Sequence, residues 1–166
     1  MGPRSDSVPG VDLQRLLPWF RANVAPVEEL SAQIIGHGRS NLTYRIDAGD
    51  NSWVLRRPPL SHVQATAHDM SREFRVLSAM VNTDVPAPRP YALCEDPSVN
   101  DAPFYVMEYV DGLVPIDPDE VARRFDEQTR RRIGEELVDV LVRLHALVPA
   151  EIGLADSGKP QGYLQR

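Results

Sequence analysis

Three short apolar runs follow one another in the first third of the chain, each ended by turn-forming residues. They cover residues 30–35, 42–46 and 52–56. Runs of this length, rich in β-branched and aromatic residues, are typical of strands. The connection DAGDN at 47–51 consists of residues that favour turns. The sequence therefore predicts an antiparallel meander in this region.

Two further runs later in the chain have the same character. Residues 91–94 and 104–110 are predicted strands, and residues 96–103 are predicted to form the turn between them. The segment PAPRP at 86–90 interrupts regular structure before the first of them. Because the last run is almost entirely apolar, we expect it in the centre of the sheet. The whole pattern predicts an α+β fold with a five-stranded antiparallel sheet.

Two helices are predicted around these strands. Asp12 can cap the first, whose apolar face repeats at helical spacing, and Pro26 closes the segment. The second follows a capping-box sequence that begins at Thr66, and it is predicted to span about residues 67–81. The apolar residues of these helices are Leu13, Leu16, Leu17 and Phe20 in the first and Met70, Phe74, Leu77 and Val81 in the second.

The last third of the chain is predicted to be helical. A short helix begins near Pro118, with proline at its first position, and Asp126 can cap a longer one. The longer helix carries a broad apolar stripe that needs a partner surface, and we expect exposure of its leucines to reduce solubility or to cause self-association. The stripe consists of Ile133, Leu137, Val140, Leu141, Leu144 and Leu147.

The overall composition argues against several classes of protein. Eighteen Lys and Arg against 24 Asp and Glu give a net charge of -6, which disfavours nucleic acid or an anionic membrane as the main partner. A single cysteine, Cys94, can form no internal disulfide, and no zinc-type cluster is present. No apolar stretch is long enough for a signal peptide or a membrane helix. We therefore expect a cytoplasmic protein.

A glycine pair lies between the first two predicted strands, in the stretch IIGHGRSNLTY at 34–44. Backbone N–H groups of such a turn can point inward and hold phosphate oxygens, and the absence of side chains at Gly36 and Gly38 allows close approach. Ser40 could add a hydroxyl donor. The same pattern is typical of an ordinary hairpin turn, and the loop alone does not decide between the two.

Two charged residues are candidates for a phosphate site near this loop. Arg56 ends the third predicted strand, where a cation would lie under the loop and neutralise phosphates. Glu73, on the second predicted helix, could hold that cation in an ion pair. Each also has a simpler interpretation, as a solvated charge at a strand end or on a helix surface. Their order along the chain favours the functional interpretation.

Five segments, taken in order, resemble the aminoglycoside phosphotransferase family, a branch of the protein-kinase-like superfamily. The resemblance extends from about Ser31 to the end of the chain, through LVRLHAL at 141–147. It is strongest for bacterial members that also resemble the kinase-like N-terminal region of some acyl-CoA dehydrogenase family proteins. The five segments are IIGHGRSNLTYRI, WVLRRPP, AHDMSREFRVLSAM, VPAPRPYALCED and APFYVMEYVDG.

The resemblance implies four parts and a nucleotide site for ATP. The parts are an N-terminal helical segment (1–29), a kinase-like N-lobe (30–107), an inter-lobe linker (108–115) and the beginning of an incomplete, truncated helical C-lobe (116–166).

Each site residue is implied by its place in a matching segment. Arg56 stands where most kinase-like enzymes have lysine, which keeps the charge but presents a planar fork, and Glu73 matches the glutamate that pairs with it. The carbonyl of Glu108 and the N–H of Val110 would bind adenine, with Met107 behind it, although this run could also be a plain core strand. The residues that match the family's nucleotide loop are Gly36, Gly38, Ser40 and Asn41.

Two motifs needed for phosphoryl transfer are absent from the sequence. The family carries its proton-accepting carboxylate in a His-Gly-Asp loop, with Asn five residues after the Asp, and further Mg²⁺ ligands in a later Asp-rich turn. None of the four histidines begins a His-Gly-Asp triplet. His145, in LVRLHAL, is expected to be structural. We therefore predict no catalytic residue and no metal ligand within these 166 residues.

Three interpretations stay open. The chain could be a fragment or truncated gene product of a complete phosphotransferase, which we favour. It could be half of a split enzyme. It could also lack catalysis, either as a nucleotide-binding or interaction module or as an inactive remnant of a truncated gene. In the first two cases the whole enzyme would transfer the γ-phosphoryl group of ATP to a hydroxyl of a small molecule. An aminoglycoside-like molecule and a hydroxylated acyl-CoA are both candidate substrates, because in this family the second lobe selects the substrate.

Overall fold

The computed structural model describes residues 8–36, 41–60, 69–114 and 117–158. Within these ranges the chain forms five helices and five strands. In chain order they are α1 (Leu13–Asn23), β1 (Ser31–Ile34), β2 (Leu42–Ala48), β3 (Asn51–Arg57), α2 (Met70–Met80), β4 (Pro90–Cys94), α3 (Pro97–Asn100), β5 (Phe104–Glu108), α4 (Pro118–Arg124) and α5 (Glu127–Ala146).

The five strands form one antiparallel sheet in the order β1-β2-β3-β5-β4, so the predicted α+β fold is confirmed. β2 and β3 pair over their whole length, and Gly49 at their turn has φ +57°, a left-handed conformation that glycine adopts without strain. β5 lies between β3 and β4, as its apolar sequence predicted, and Phe104, Tyr105 and Val106 are buried. Val110, predicted in this strand, lies beyond its end at Glu108.

The main core lies on the face of the sheet that α1 covers. Leu16 and Phe20 have no exposed surface. The ring of Phe20 meets Trp53 edge to face with centroids 5.1 Å apart, and Trp19 meets Phe104 at 4.8 Å. Such aromatic pairs add to the free energy gained from burial alone. The N-terminal helix is therefore a structural part of the sheet's core.

A cluster of charges fastens α1 to α3. The guanidinium of Arg15 donates to both carboxylate oxygens of Asp101, at 2.9 and 2.7 Å, and to Asp12 at 2.7 Å. Asp12 also caps α1, as predicted, by accepting from the backbone N–H groups of Gln14 and Arg15. The hydrogen bond from the Arg15 backbone, followed by the guanidinium, lowers the pKa of Asp12. The guanidinium of Arg15 lowers the pKa of Asp101.

The start of α2 differs from the predicted capping box. Residues 66–68 lie outside the described part of the chain. The described helix begins at Met70, and the carboxylate of Asp69 accepts from the N–H of Arg72 at 2.9 Å. Asp69 thus fills the position of an N-cap residue.

Residues 96–103 were predicted to form a turn, but this segment contains the short helix α3, so the prediction was wrong for the residues of that helix. Asp96 caps it by accepting from the N–H of Ser98 at 2.8 Å, and Pro97 occupies its first turn. The helix ends at Asp101, which has φ 58°. A helix of four residues is too short to display an apolar period, so only its cap and its proline indicate it.

The described chain divides into two compact units. The first comprises the described residues of Met1–Ser78 and Pro88–Val110, with the sheet, α1 and α3. The second comprises those of Ala79–Ala87 and Asp111–Arg166, with α4 and α5. α2 runs across the boundary.

The two helices predicted for the last third of the chain are present in the second unit as α4 and α5. Asp117 caps α4, which has proline in its first turn, and Asp126 caps α5. Leu137 is 60% exposed and Leu141 42% exposed, so much of the apolar stripe of α5 is exposed. Among the helices of the described ranges, none is long and apolar enough to cross a bilayer.

Candidate functional site

A row of side chains crosses the sheet on the face opposite the α1 core. The register pairs Thr43 of β2 with Arg56 of β3, and Arg56 with Tyr105 of β5. Directly opposed residues of antiparallel strands project on the same face, so these three side chains are neighbours. α2 contributes Glu73 to the same place.

The carboxylate of Glu73 collects three hydrogen bonds from three parts of the chain. Its Oε2 accepts from Arg56 Nε at 2.8 Å and from the hydroxyl of Tyr105 at 3.0 Å. Its Oε1 accepts from the side-chain amide of Asn41 at 2.7 Å. The Arg56 and Glu73 side chains are 30% and 34% exposed, so their ion pair contributes little to stability. Its main effect is to orient the guanidinium.

Arg56 has a second contact that fixes its plane. Its Nη1 donates to Thr43 Oγ1 at 3.3 Å. With Nε and Nη1 engaged, Nη2 has no hydrogen-bond partner within the described ranges. A guanidinium nitrogen presented in this way can bind a phosphate or carboxylate oxygen.

Gly36 lies at the base of the hairpin that joins β1 and β2. The N–H groups of Ile35 and Gly36 both donate to the carbonyl of Thr43, at 2.9 and 3.3 Å. A Cβ at residue 36 would lie 3.0 Å from the Cβ of Thr43 and 3.2 Å from its Oγ1. The position therefore favours glycine because Thr43 passes so closely. Of the other predicted loop residues, Gly38 and Ser40 lie outside the described residues.

A cavity of about 520 Å³ opens beside the row. Its volume is in the range of small-molecule sites. Its wall combines the charges of the Arg56–Glu73 pair with apolar side chains. Among its lining residues are Arg56, Glu73, Val76, Leu77, Tyr105 and Met107.

The segment that follows Met107 supplies backbone groups. The N–H of Glu108 is engaged with the carbonyl of Arg89 at 2.8 Å, and the Glu108 carboxylate accepts from the N–H of Arg89 at 3.1 Å. The N–H of Val110 has no partner among the residues that the structure describes, and its side chain is 63% exposed. Val110 thus offers a backbone donor to a ligand.

The structure brings four predicted site residues together, namely Asn41, Arg56, Glu73 and Met107, and it adds two that the sequence interpretation missed. Tyr105 could have been identified because it lies two residues before Met107 and strand side chains alternate. Burial, reinforced by the Glu73 carboxylate, raises the pKa of the Tyr105 hydroxyl. Thr43 has no comparable signal, because its role depends on the register with Arg56.

Known proteins match this chain over most of its length. The model of the phosphotransferase enzyme family matches residues 31–166. Acyl-CoA dehydrogenase family member 10 of Mus musculus is 37% identical over 130 residues, which are 78% of this chain and 12% of that protein. The probable acyl-CoA dehydrogenase IBR3 of Arabidopsis thaliana is 36% identical over 136 residues, with shares of 79% and 16%. The chain thus spans less than a fifth of these curated relatives.

A solved structure shares the fold. The crystal structure of a candidate aminoglycoside phosphotransferase from Ralstonia eutropha JMP134 is 35% identical and superposes with a TM-score of 0.76. The match covers 93% of this chain and 44% of that one. The predicted resemblance is confirmed, and the sheet with its helices is the N-lobe of a protein-kinase-like fold. The chain belongs to the phosphotransferase enzyme family.

Proposed function

We propose that this chain is the nucleotide-binding part of an ATP-dependent phosphotransferase that phosphorylates a hydroxyl of a small molecule. The observation that carries the proposal is the ion pair between Arg56 Nε and Glu73 Oε2 at 2.8 Å, which joins β3 to α2. In kinase-like enzymes a strand cation, held by a helix carboxylate, binds the nucleotide phosphates. The family match supports the same assignment.

The residues of this chain would bind and orient the nucleotide. Arg56 would hold a phosphate oxygen through Nη2, because its Nε already donates to Glu73 and its Nη1 to Thr43. The free N–H of Val110 would donate a hydrogen bond to the adenine ring. The carbonyl of Glu108 would accept a hydrogen bond from the adenine. Met107, which lines the cavity, would close the back of the adenine pocket. Bound ATP would supply the phosphoryl group.

Within the part of the chain that the structure describes, the residues do not fit a magnesium site. The described ranges contain no group of three or more His, Cys, Asp or Glu side chains that could hold a metal ion. The 166 residues also contain no His-Gly-Asp triplet. The role proposed for these residues is therefore nucleotide binding alone.

We propose the substrate of the whole protein from the names of its relatives. Two of them are named acyl-CoA dehydrogenases, and the solved structure is named a candidate aminoglycoside phosphotransferase. A hydroxylated acyl-CoA or an aminoglycoside-like molecule would each present the hydroxyl that the reaction requires. We propose a small hydroxylated substrate of this kind.

Titration of the chain with a fluorescent ATP analogue tests the proposal. We expect saturable binding by the unaltered chain and at least about tenfold weaker binding by Arg56→Ala, because a charged hydrogen bond to phosphate is lost. Arg15→Ala is the matched control. It removes an ion pair of similar exposure, 38% at Arg15, that lies between α1 and α3 and not at the cavity, and it should keep its affinity.

Two outcomes would contradict the proposal. A folded chain without saturable nucleotide binding would favour the alternative of a non-catalytic interaction module, which the absence of a His-Gly-Asp triplet also favours. Equal binding by the chain and by Arg56→Ala would remove Arg56 from the phosphate site.

A further inference from the structure

Asn41 lies directly before β2, and its side chain is buried. The residue is 5% exposed, and its Nδ2 donates to Oε1 of Glu73 at 2.7 Å. A buried amide is normally held by hydrogen bonds, and this one links the residue before β2 to α2. In this arrangement the amide of Asn41 is directed at the helix carboxylate.

Tyr105 reaches the same carboxylate from the other side. It is 3% exposed, and its hydroxyl donates to Oε2 of Glu73 at 3.0 Å. Its raised pKa keeps the hydroxyl protonated at neutral pH, so it remains a donor. The ring also meets Phe74 of α2 edge to face, with centroids 6.1 Å apart, which limits its movement.

These two contacts restrict the rotation of the Glu73 carboxylate. Asn41 holds one oxygen and Tyr105 holds the other, and Arg56 Nε shares the second oxygen at 2.8 Å. An ion pair with both side chains about one-third exposed would otherwise sample several rotamers. The direction of the Arg56 guanidinium therefore depends on Asn41 and Tyr105.

We propose that Asn41 and Tyr105 are positioning residues, which fix the Glu73 carboxylate so that Arg56 presents Nη2 to the phosphates of a bound nucleotide. The inference rests on the proposed function, because it takes Arg56 as the phosphate ligand. It gives Asn41 an indirect role, through Glu73. It also couples the start of β2 to α2, since Asn41 directly precedes β2.

Binding of ATP and of adenosine by two isosteric variants tests the inference. Tyr105→Phe removes only the hydroxyl, and Asn41→Asp replaces the donor amide by an oxygen that repels Glu73. In both variants the Kd for ATP should rise about tenfold, whereas the Kd for adenosine should stay within about twofold, because adenosine makes no phosphate contact. A purely structural effect would weaken both ligands alike.

Tyr44→Phe is the matched control. Tyr44 is a buried tyrosine of β2, and its hydroxyl donates to the carbonyl of Pro9 at 2.6 Å on the opposite face of the sheet. The variant should bind both ligands as the unaltered chain does. The inference is overturned if Tyr105→Phe binds ATP with unchanged affinity, or if it loses ATP and adenosine to the same degree.

A measurement without nucleotide separates this inference from the proposed function. Exchange of the Arg56 Nε hydrogen with solvent, followed by NMR, reports the contact with Glu73 directly. We expect exchange to be at least about tenfold faster in Tyr105→Phe and in Asn41→Asp than in Tyr44→Phe. If the unaltered chain binds no ATP, the proposed function fails, and the exchange rates still decide whether these residues hold Arg56. Unchanged exchange in both variants would overturn the inference.

Discussion

Gly36 shows how a missing side chain shapes the site at the scale of single residues. The residue lies against Thr43, and the hydroxyl of Thr43 accepts from Arg56. A Cβ at position 36 would press on the side chain of Thr43, which would have to give by a few tenths of an ångström. Close packing against Thr43 thus favours glycine here, independently of any phosphate contact.

Replacement of Gly36 by alanine should therefore be costly. The added Cβ would lie 3.0 Å from the Cβ of Thr43, so the backbone or Thr43 must shift. We expect the free energy of unfolding to fall by about 1–3 kcal/mol, as for other overpacked sites. Gly112→Ala is the control, because its Cβ would meet nothing within 4 Å. Urea unfolding compares the two, and equal stability of both variants would refute the packing argument.

The charged residues around Arg15 predict how the stability of the chain depends on pH. In the folded chain the pKa values of Asp12 and Asp101 lie below the ordinary 3.8, so the unfolded chain takes up protons first as the pH falls. Their contribution to stability is complete above about pH 5 and is lost as the pH falls through their folded pKa values. Urea midpoints should therefore drop between about pH 5 and pH 3, and less steeply in Arg15→Met than in the unaltered chain. An identical pH dependence in Arg15→Met would contradict this, and Arg131→Met, at an 80% exposed side chain, is the control.

At the scale of elements, α1 stabilises the sheet that carries the site. Phe20 has no exposed surface and contacts Trp53 of β3, the strand that also carries Arg56 on its other face. One face of β3 thus packs in the core, and the other face carries a residue of the site. If the proposed nucleotide site is right, the N-terminal segment should affect nucleotide binding only through the stability of the sheet.

Truncation of Phe20 tests this division. Phe20→Ala should lower the free energy of unfolding by about 3–5 kcal/mol, because it leaves a cavity in the core. Ile34→Ala, at a residue that is 43% exposed, should lower it much less. Thermal unfolding monitored by circular dichroism gives both values, and similar losses in the two variants would argue against a core role for α1.

Elements with a clear apolar period could be predicted from sequence, and contacts set by register could not. The short runs of β2 and β3, each ended by turn-forming residues, and the apolar stripe of α5 identified those elements directly. The order of Arg56 and Glu73 along the chain, with the resemblance, indicated their pairing, which the structure shows at 2.8 Å. Thr43 and Tyr105 join the site because they stand opposite Arg56 in the sheet. That register depends on how the hairpins close, which local sequence does not specify alone.

At the scale of the whole molecule, the chain corresponds to part of its relatives. It covers 44% of the solved phosphotransferase, and its helix α5 exposes large apolar residues, with Leu137 at 60% and Val142 at 61%. Apolar surface of this kind commonly marks a protein interface. Self-association of the 166-residue chain through α5 therefore stays a prediction.

Sedimentation velocity over a range of concentrations tests that prediction. Leu137→Gln should shift the chain toward monomer by removing apolar surface from the stripe. Asp139→Asn, a polar change on the same helix away from the stripe, should leave the association unchanged. A chain that stays monomeric at all concentrations, or a Leu137→Gln variant that associates as before, would contradict it.

The central claim is that the face of the sheet carrying Arg56 is a nucleotide site. Chemical-shift mapping of the 166-residue chain with a non-hydrolysable ATP analogue tests it most directly. The account predicts saturable shifts at the Val110 N–H, at Met107 and at the Arg56 Nε–H, and none at Phe20 on the opposite face. Absence of saturable shifts, or shifts confined to the α1 face or to α5, would contradict it.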